Sequence, residues 1–363
     1  MRHAIRGVAI AASALLMLAG CTHSVDSAVE AAPTSETVSQ TVYPLTVTDS
    51  DGRTVTIEQR PERVVMGGMW MPIEMMSALD LEDVVVGTVE NNINRGWPDF
   101  VTELANVGGS PLSVESVVAL TPDLVIATNI DSDIRVQLES MGIDVLLIPA
   151  HIIDENPAQY RLLGEVFDVA DRAEVAATYI EDRWAEVETA LAGVAEEEKP
   201  RIYFESAMST GATNSFKTLG PGSGSDVLIN LAAGVNIAAE LGDGGNAPEV
   251  SAEWIVAENP DVIVSYAPGT MLGWQPELGT AEAYYSDIVN RPGFDQITAV
   301  QDGRVLLIPS GIMSDPLNPV GLFYLASFLH PELVSPERAA QVHAEMLEEF
   351  FDTDYSGTWI YTR

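Results

Sequence analysis

Two stretches of this sequence repeat one another, and that repeat limits the possible fold more than any other feature. Residues 113–126 read Ser-Val-Glu-Ser-Val-Val-Ala-Leu-Thr-Pro-Asp-Leu-Val-Ile, and residues 251–264 read Ser-Ala-Glu-Trp-Ile-Val-Ala-Glu-Asn-Pro-Asp-Val-Ile-Val. Ser, Glu, Val, Ala, Pro and Asp coincide in register, and most other differences are conservative. Each copy carries the same physical instruction. The serine caps a short helix, and the acid two residues on sits at the positive end of the helix dipole. The proline stops the helix, and the apolar run behind it suits a strand buried in a parallel sheet. Two copies predict two lobes of similar build.

The surrounding pattern agrees. Residues 45–47 and 54–57 read as a hairpin turning at Asp51-Gly52. Residues 63–66 form a first buried strand, followed by a loop and a helix opened by Pro72 that runs to about residue 79, and then a strand over 83–87. Strands and helices continue to alternate, the signature of α/β layers with helices on both faces. Between the repeats lie a helix over 157–168 and a longer one over 173–197, rich in Ala, Glu and Leu. A helix of that length reaches some 37 Å at about 1.5 Å per residue, enough to cross from one lobe to the other. Pro200 ends it, and residues 201–204 restart a strand. The expectation is an α/β protein of two Rossmann-like lobes, each with a central parallel sheet, joined by one long rigid helix with a ligand cleft between them.

The N-terminus speaks to location. Residues 1–6 carry two arginines and no acid, and residues 7–18 are apolar, as in a secretory signal. The run ends Leu18-Ala19-Gly20-Cys21, and Cys21 is the single cysteine of the chain. The pattern is similar to a lipobox, in which the cysteine is lipidated after cleavage before it. The polar stretch after it has too few large apolar residues to fold and reads as a tether. The expected organisation is a signal over residues 1–20, a lipid-anchored tether over 21–42, an N-terminal lobe over 43–156, a helical segment over 157–199 and a C-terminal lobe over 200–363. Net charge is −37 and lysine occurs only at 199 and 217, so nucleic acid, which needs a basic face, is excluded as a partner.

Several stretches then resemble the class III periplasmic binding proteins that serve siderophore, haem and cobalamin importers. They are Val47-Thr-Asp49 with Gly52-Arg53, Pro61-Glu-Arg63-Val-Val, both repeats, Ser223-Gly-Ser225-Asp226 with Gly234-Val-Asn236-Ile, Arg291-Pro-Gly-Phe294, Gly303-Arg304-Val and Leu329-His330-Pro331-Glu332. The likeness covers residues 43–333. It implies an extracytoplasmic, membrane-anchored receptor, monomeric, without cofactor or catalysis, that passes a metal complex to an ABC permease and its ATPase. The resemblance also implies that Glu115 and Glu253, one per lobe, dock onto arginines of the permease. Both are equally good first-turn helix residues.

Ligand residues are expected in loops at the carboxyl ends of strands. In the first lobe these are Met69, Trp70, Met71, Asn91, Arg95, Trp97 and Asp131, with Asn92 and Asn129 beside them. In the second they are Ser206, Met208, Lys217, Tyr266, Met271, Trp274 and Met313, with Ser215 nearby. Aromatic and methionine side chains offer broad adaptable apolar surface, and Arg95 and Lys217 offer charge for acidic groups. An iron chelate is the leading ligand, with haem or cobalamin as the alternative. A chelatase-like enzyme acting on a tetrapyrrole and a receptor for a bare cation are weaker readings. The signal argues against the first. The five scattered histidines, His3 and His23 among them in the signal and tether, argue against the second. No Gly-x-Ser-x-Gly elbow, phosphate loop or His-Glu-x-x-His motif occurs. If Cys21 carries the anchor, Cys21→Ser should leave the protein uncleaved or released from the membrane fraction. Normal processing and unchanged membrane attachment of that variant would contradict the anchor.

Overall fold

The computed structural model describes residues 41–95, 97–109, 111–206, 214–242, 248–274, 276–313 and 316–363. The expected signal, Cys21, most of the tether and Met208 lie outside the described residues. In the first lobe a hairpin, β1 (Leu45–Thr48) and β2 (Thr54–Ile57), precedes the strands β3 (Val64–Gly67), β4 (Val85–Thr88), β5 (Ala105–Asn106), β6 (Leu124–Ala127) and β7 (Asp144–Leu147). Those five form a sheet in the order β5-β4-β3-β6-β7, parallel throughout. Its helices are α1 (Met71–Ala78), α2 (Glu90–Arg95), α3 (Val114–Ala119) and α4 (Ser132–Ser140). Two helices, α5 (Asn156–Phe167) and α6 (Ala170–Leu191), lead to the second lobe.

There β8 (Arg201–Glu205), β9 (Ser215–Lys217), β10 (Val235–Asn236), β11 (Glu249–Ser251), β12 (Val262–Ala267) and β13 (Val305–Pro309) alternate with further helices. These are α7 (Gly224–Leu231), α8 (Ala252–Glu258), α9 (Leu278–Val289), α10 (Thr298–Gln301), α11 (Asn318–Leu329) and α12 (Pro336–Phe351). The main sheet runs β10-β8-β12-β13, again parallel, and β9 and β11 make a separate antiparallel ribbon. The expected two-lobed α/β architecture is present.

The repeat is a structural one. Ser113 caps α3 by accepting the Ser116 N–H, and Ser251 caps α8 by accepting the Trp254 N–H. Thr121 and Asn259, at equivalent places, both adopt positive φ of 46° before the proline. The aspartate after each proline takes the backbone N–H that opens the neighbouring strand: Asp123 from Arg63 and Asp261 from Arg201. Both arginines then turn back onto the end of the repeat helix, Arg63 to the Leu120 carbonyl and Arg201 to the Glu258 carbonyl. The equivalence therefore extends to Arg63 and Arg201, beyond the two repeated stretches themselves.

Both faces of each sheet are buried, as parallel strands require. In β12, Val262 and Val264 face one apolar cluster and Ile263 faces another. The first cluster runs without a break from Val64 and Met66 through Tyr160, Phe167 and Ile180 to Phe323 and Leu347. The lobes therefore share one core across α5, α6 and α11. The interlobe helix α6 is shorter than expected, at 22 residues, and ends near Gly193. At about 1.5 Å per residue it spans some 33 Å. A buried polar junction completes the joint. The Asn318 amide, at the start of α11, donates to Asn156 Oδ1 (2.9 Å) and accepts the Trp184 indole N–H (2.9 Å). Asn156 in turn donates to the Ala150 carbonyl at 3.1 Å.

Candidate functional site

Every strand of both main sheets ends at the same side of its lobe, so the loops after β3, β4, β12 and β13 can converge. They do so around a cavity of about 390 Å³ whose walls come from both lobes. Arg95, Trp97 and Asn94 enter from the first lobe, and residues 268–270, 272–274, 309–312 and Leu317 from the second, with Trp359 from the C-terminal segment. Three of the expected residues, Arg95, Trp97 and Trp274, are thus brought together. Arg95 is the only charged residue among the described lining residues. Its guanidinium lies 4.4 Å from the Trp70 ring centroid and pairs at 3.0 Å with Glu74, whose side chain is fully buried.

The indoles of Trp97 and Trp274 meet across the cleft with centroids 5.1 Å apart. Phe351 supports Trp97 at 5.4 Å and Trp359 stands edge-on to Trp274 at 5.0 Å. A second, shallower cavity of about 540 Å³ lies against the same two tryptophans and is lined also by Asp99, Glu277 and Thr353. Trp97 and Trp274, with Gly269 and Thr270, thus line both cavities.

Other expected residues have different places. Met71 is 2 % exposed and Met313 is fully buried. Both belong to the core: every residue of α1 is buried, and Met313 packs beneath Gly321 of α11. Neither can touch a ligand in this arrangement. Asp131 is committed to capping α4, accepting the Asp133 N–H at 2.9 Å. Lys217 is on the outer ribbon, opposite Glu249, and Ser206 donates its N–H to the Lys217 carbonyl. Tyr266 stands on β12 with its hydroxyl bonded to Ser225 and its ring edge-on to Phe204. Asn91 is exposed on α2, while its neighbour Asn92 is buried and bonded to Thr88. Met69 is exposed at the end of β3 and Met271 half-buried after β12. Further wall residues, 268–270, 272, 273 and 310–312, directly follow β12 and β13 and are not among the expected ones. The carboxyl-end rule would have found them.

Glu115 and Glu253 are exposed in the first turns of α3 and α8. Each helix starts at the carboxyl edge of its own sheet, so both acids stand on the side to which the cleft opens. The backbone N–H of Glu253 itself, then the Ser251 hydroxyl and the Asn214 amide, hold its carboxyl below the usual carboxylate range.

Behind Trp359 lies His343, fully buried, its ring centroid 4.5 Å from the indole and 5.0 Å from Tyr355. Its Nδ1 is 3.2 Å from the Tyr324 hydroxyl. Among the described residues its Nε2 has no hydrogen-bond partner.

The profile described as periplasmic binding protein matches residues 68–311. Over 329 residues the chain is 26 % identical to an uncharacterized ABC transporter substrate-binding lipoprotein of Bacillus subtilis, YvrC, covering 88 % of this chain and 95 % of that protein. It is 30 % identical over 227 residues to a cobalamin-binding protein of Halobacterium salinarum, covering 61 % of this chain and 58 % of that one. The fold superposes on the TroA-like periplasmic binding protein FepB of Veillonella parvula with a TM-score of 0.72 at 21 % identity, over 88 % of this chain and 99 % of that one.

Burial lowers the His343 pKa from 6.5 to about 3. The unfolded chain takes up this proton below 6.5 and the folded chain does not, so the stabilisation is complete above pH 6.5 and is lost as pH falls toward 3. NMR titration should find the His343 ring neutral down to pH 4. Thermal stability should fall more steeply from pH 6.5 to 4 than in His343→Phe. A ring that titrates near 6.5 would contradict its burial.

Proposed function

The chain belongs to the periplasmic binding protein family of ABC importers, and on that premise we propose that its interlobe cleft captures an intact, bulky and nearly neutral metal complex for delivery to a permease. Proteins of this family are extracytoplasmic receptors and not enzymes. Among the described residues, no helix is long and apolar enough to cross a membrane. One observation carries the ligand reading: the cavity is walled by Trp97, Trp274 and Trp359, with Arg95 its only charged described lining residue.

The charge of the site separates the candidate ligands. A polyanionic ferric chelate would need several cations to offset its desolvation, and here one arginine already pairs with a buried glutamate. A nearly neutral complex rich in amides and apolar edges fits tryptophan walls and backbone donors far better. A corrinoid is such a molecule, and the likeness to a cobalamin-binding protein favours it. On this reading cobalamin comes before an iron chelate, the opposite of the order that the sequence suggested. A neutral ferric hydroxamate is the second reading. The cavity of about 390 Å³ is at the small end of the range for ligand pockets, about 300–1,000 Å³, and suits it without rearrangement. A corrinoid would instead part Trp97 from Trp274 and join the two cavities. The lipobox at Cys21 and the lipoprotein description of the Bacillus subtilis relative support attachment to the cell membrane. Glu115 and Glu253, one per lobe, are suited to paired charge-assisted bonds with permease arginines.

Titration of the mature protein by tryptophan fluorescence tests this reading against cyanocobalamin, ferrichrome, haem, molybdate and zinc. Cyanocobalamin should bind best, with affinity nearly constant from 0.1 to 1 M salt because no net charge is screened. Trp97→Ala should cost about 2 kcal/mol, roughly thirtyfold in Kd. Glu115→Ala with Glu253→Ala should leave that Kd unchanged and abolish uptake through the permease. Tight binding of zinc or molybdate with none of the complexes, or a steep loss of affinity in salt, would overturn the ligand assignment.

A further inference from the structure

After α12 the chain turns through Asp352, in the left-handed region at φ 44°, and returns to the second lobe. Two backbone pairings hold this tail. Gly273 and Thr358 exchange N–H···O bonds of 2.6 and 2.9 Å, and Leu307 and Tyr361 exchange bonds of 2.9 and 3.0 Å. The second pairing lies on β13, at the edge of the sheet. Arg363 closes the segment with an ion pair to Glu282. The approach at Gly357 is close. Its φ is +87°, and a Cβ there would lie 2.0 Å from the Gly273 carbonyl oxygen. Between the two pairings sits Trp359, 7 % exposed, its indole N–H bonded to the Ser356 carbonyl at 2.8 Å. Its ring faces Trp274 on one side and His343 on the other.

The family match ends at residue 311, so this tail is outside it. We infer that residues 353–363 belong to the binding machinery of this receptor, with Trp359 as the positioning residue that holds Trp274 against the cleft. Trp274 is half-buried in a connection that contains Gly269 and Gly273, the latter at φ 131°. Beside the loop's own bonds to the Pro268 and Thr270 carbonyls, two backbone bonds with Thr358 and one edge-on indole tie its far end to the tail. Preorganising a binding wall reduces the entropy lost on association and slows ligand release. The inference rests on the reading of the tryptophan cleft as the ligand site, but its structural half can be measured without ligand.

The experiment compares the full mature chain with Trp359→Ala, Trp359→Phe and Gly357→Val. Amide hydrogen exchange at residues 271–274 is read beside cyanocobalamin and ferrichrome release rates and the melting temperature. In Trp359→Ala and Gly357→Val those amides should exchange at least tenfold faster, with the rest of the second-lobe sheet unchanged. Release of whichever probe binds should quicken at least tenfold, and Trp359→Phe should recover most of both effects. Unchanged exchange at 271–274, or acceleration spread evenly over the sheet, would overturn the inference. Unchanged release despite faster exchange would overturn it too. If the wild-type chain binds neither probe, the ligand reading fails, and the exchange data alone still decide whether Trp359 and the tail position the loop. Should Trp359→Ala not fold, Gly357→Val carries the loss, with Trp359→Phe and the wild-type chain as the near-unchanged references.

Discussion

The relation between the lobes depends on the Asn318 side chain. It is buried where α5, α6 and α11 come together, and each end of its amide is used: the nitrogen donates to Asn156 and the oxygen accepts from Trp184. A buried amide is costly unless it is satisfied, so this contact specifies one arrangement of the three helices. The loops after β12 and β13 are carried on the side of α11, and the loops after β3 and β4 on the other. The Asn318 contacts and the shared core together hold the cleft walls facing each other. Continuity of the apolar core through the same helices opposes large hinge motion, because opening the lobes widely would expose packed side chains such as Ile180 and Phe323. Small adjustments at the tryptophan pair are far less costly.

Charge is distributed to match this division of labour. The chain carries a net charge of −37, yet the described wall of the main cavity holds one charged residue, and that one is paired. Acidic groups instead populate the outside, among them Glu115 and Glu253 on the cleft side of each lobe. An acidic exterior keeps the protein soluble and steers it toward a basic partner, while the neutral indole-lined interior leaves recognition to shape and buried area. Arg172 illustrates the structural use of the scarce cations. It donates to the Ala78 carbonyl and contacts Glu349, tying the first-lobe helix α1 to α12.

Much of the architecture was legible because it is written in local chemistry. The Ser caps at 113 and 251 and the prolines at 122 and 260 are short-range signals, and two copies of them implied two sheets. The partnership of Arg63 with Leu120 and of Arg201 with Glu258 was not legible, since it joins residues far apart in the chain. Of the residues expected at the cleft, Arg95, Trp97 and Trp274 line the cavity, each in a connection that follows a strand. Met71 and Met313 follow strands too, but Met71 opens α1 and Met313 packs against α11, both helices buried on all sides, and both are drawn into the core. Composition around residues 318–329 carries that warning, for the helix is almost wholly apolar. Asp131 shows how capping a helix and touching a ligand call for the same side chain, and here it caps α4. Trp359 went unnoticed because it lies past the region of family likeness. Its signal is the aromatic run Tyr355, Trp359 and Tyr361 in a tail otherwise short of apolar residues.

The central claim is that the cleft holds an intact, nearly neutral metal complex, and native mass spectrometry of the mature protein purified from its own host addresses it most directly. One adduct per chain is expected, carrying a single metal atom together with its organic ligand, with cobalt in a corrinoid as the first expectation. That adduct should survive exchange into high salt and should leave when Trp97 is replaced by alanine. A bare metal ion, an oxyanion, or a highly charged chelate that washes out as salt rises would contradict it.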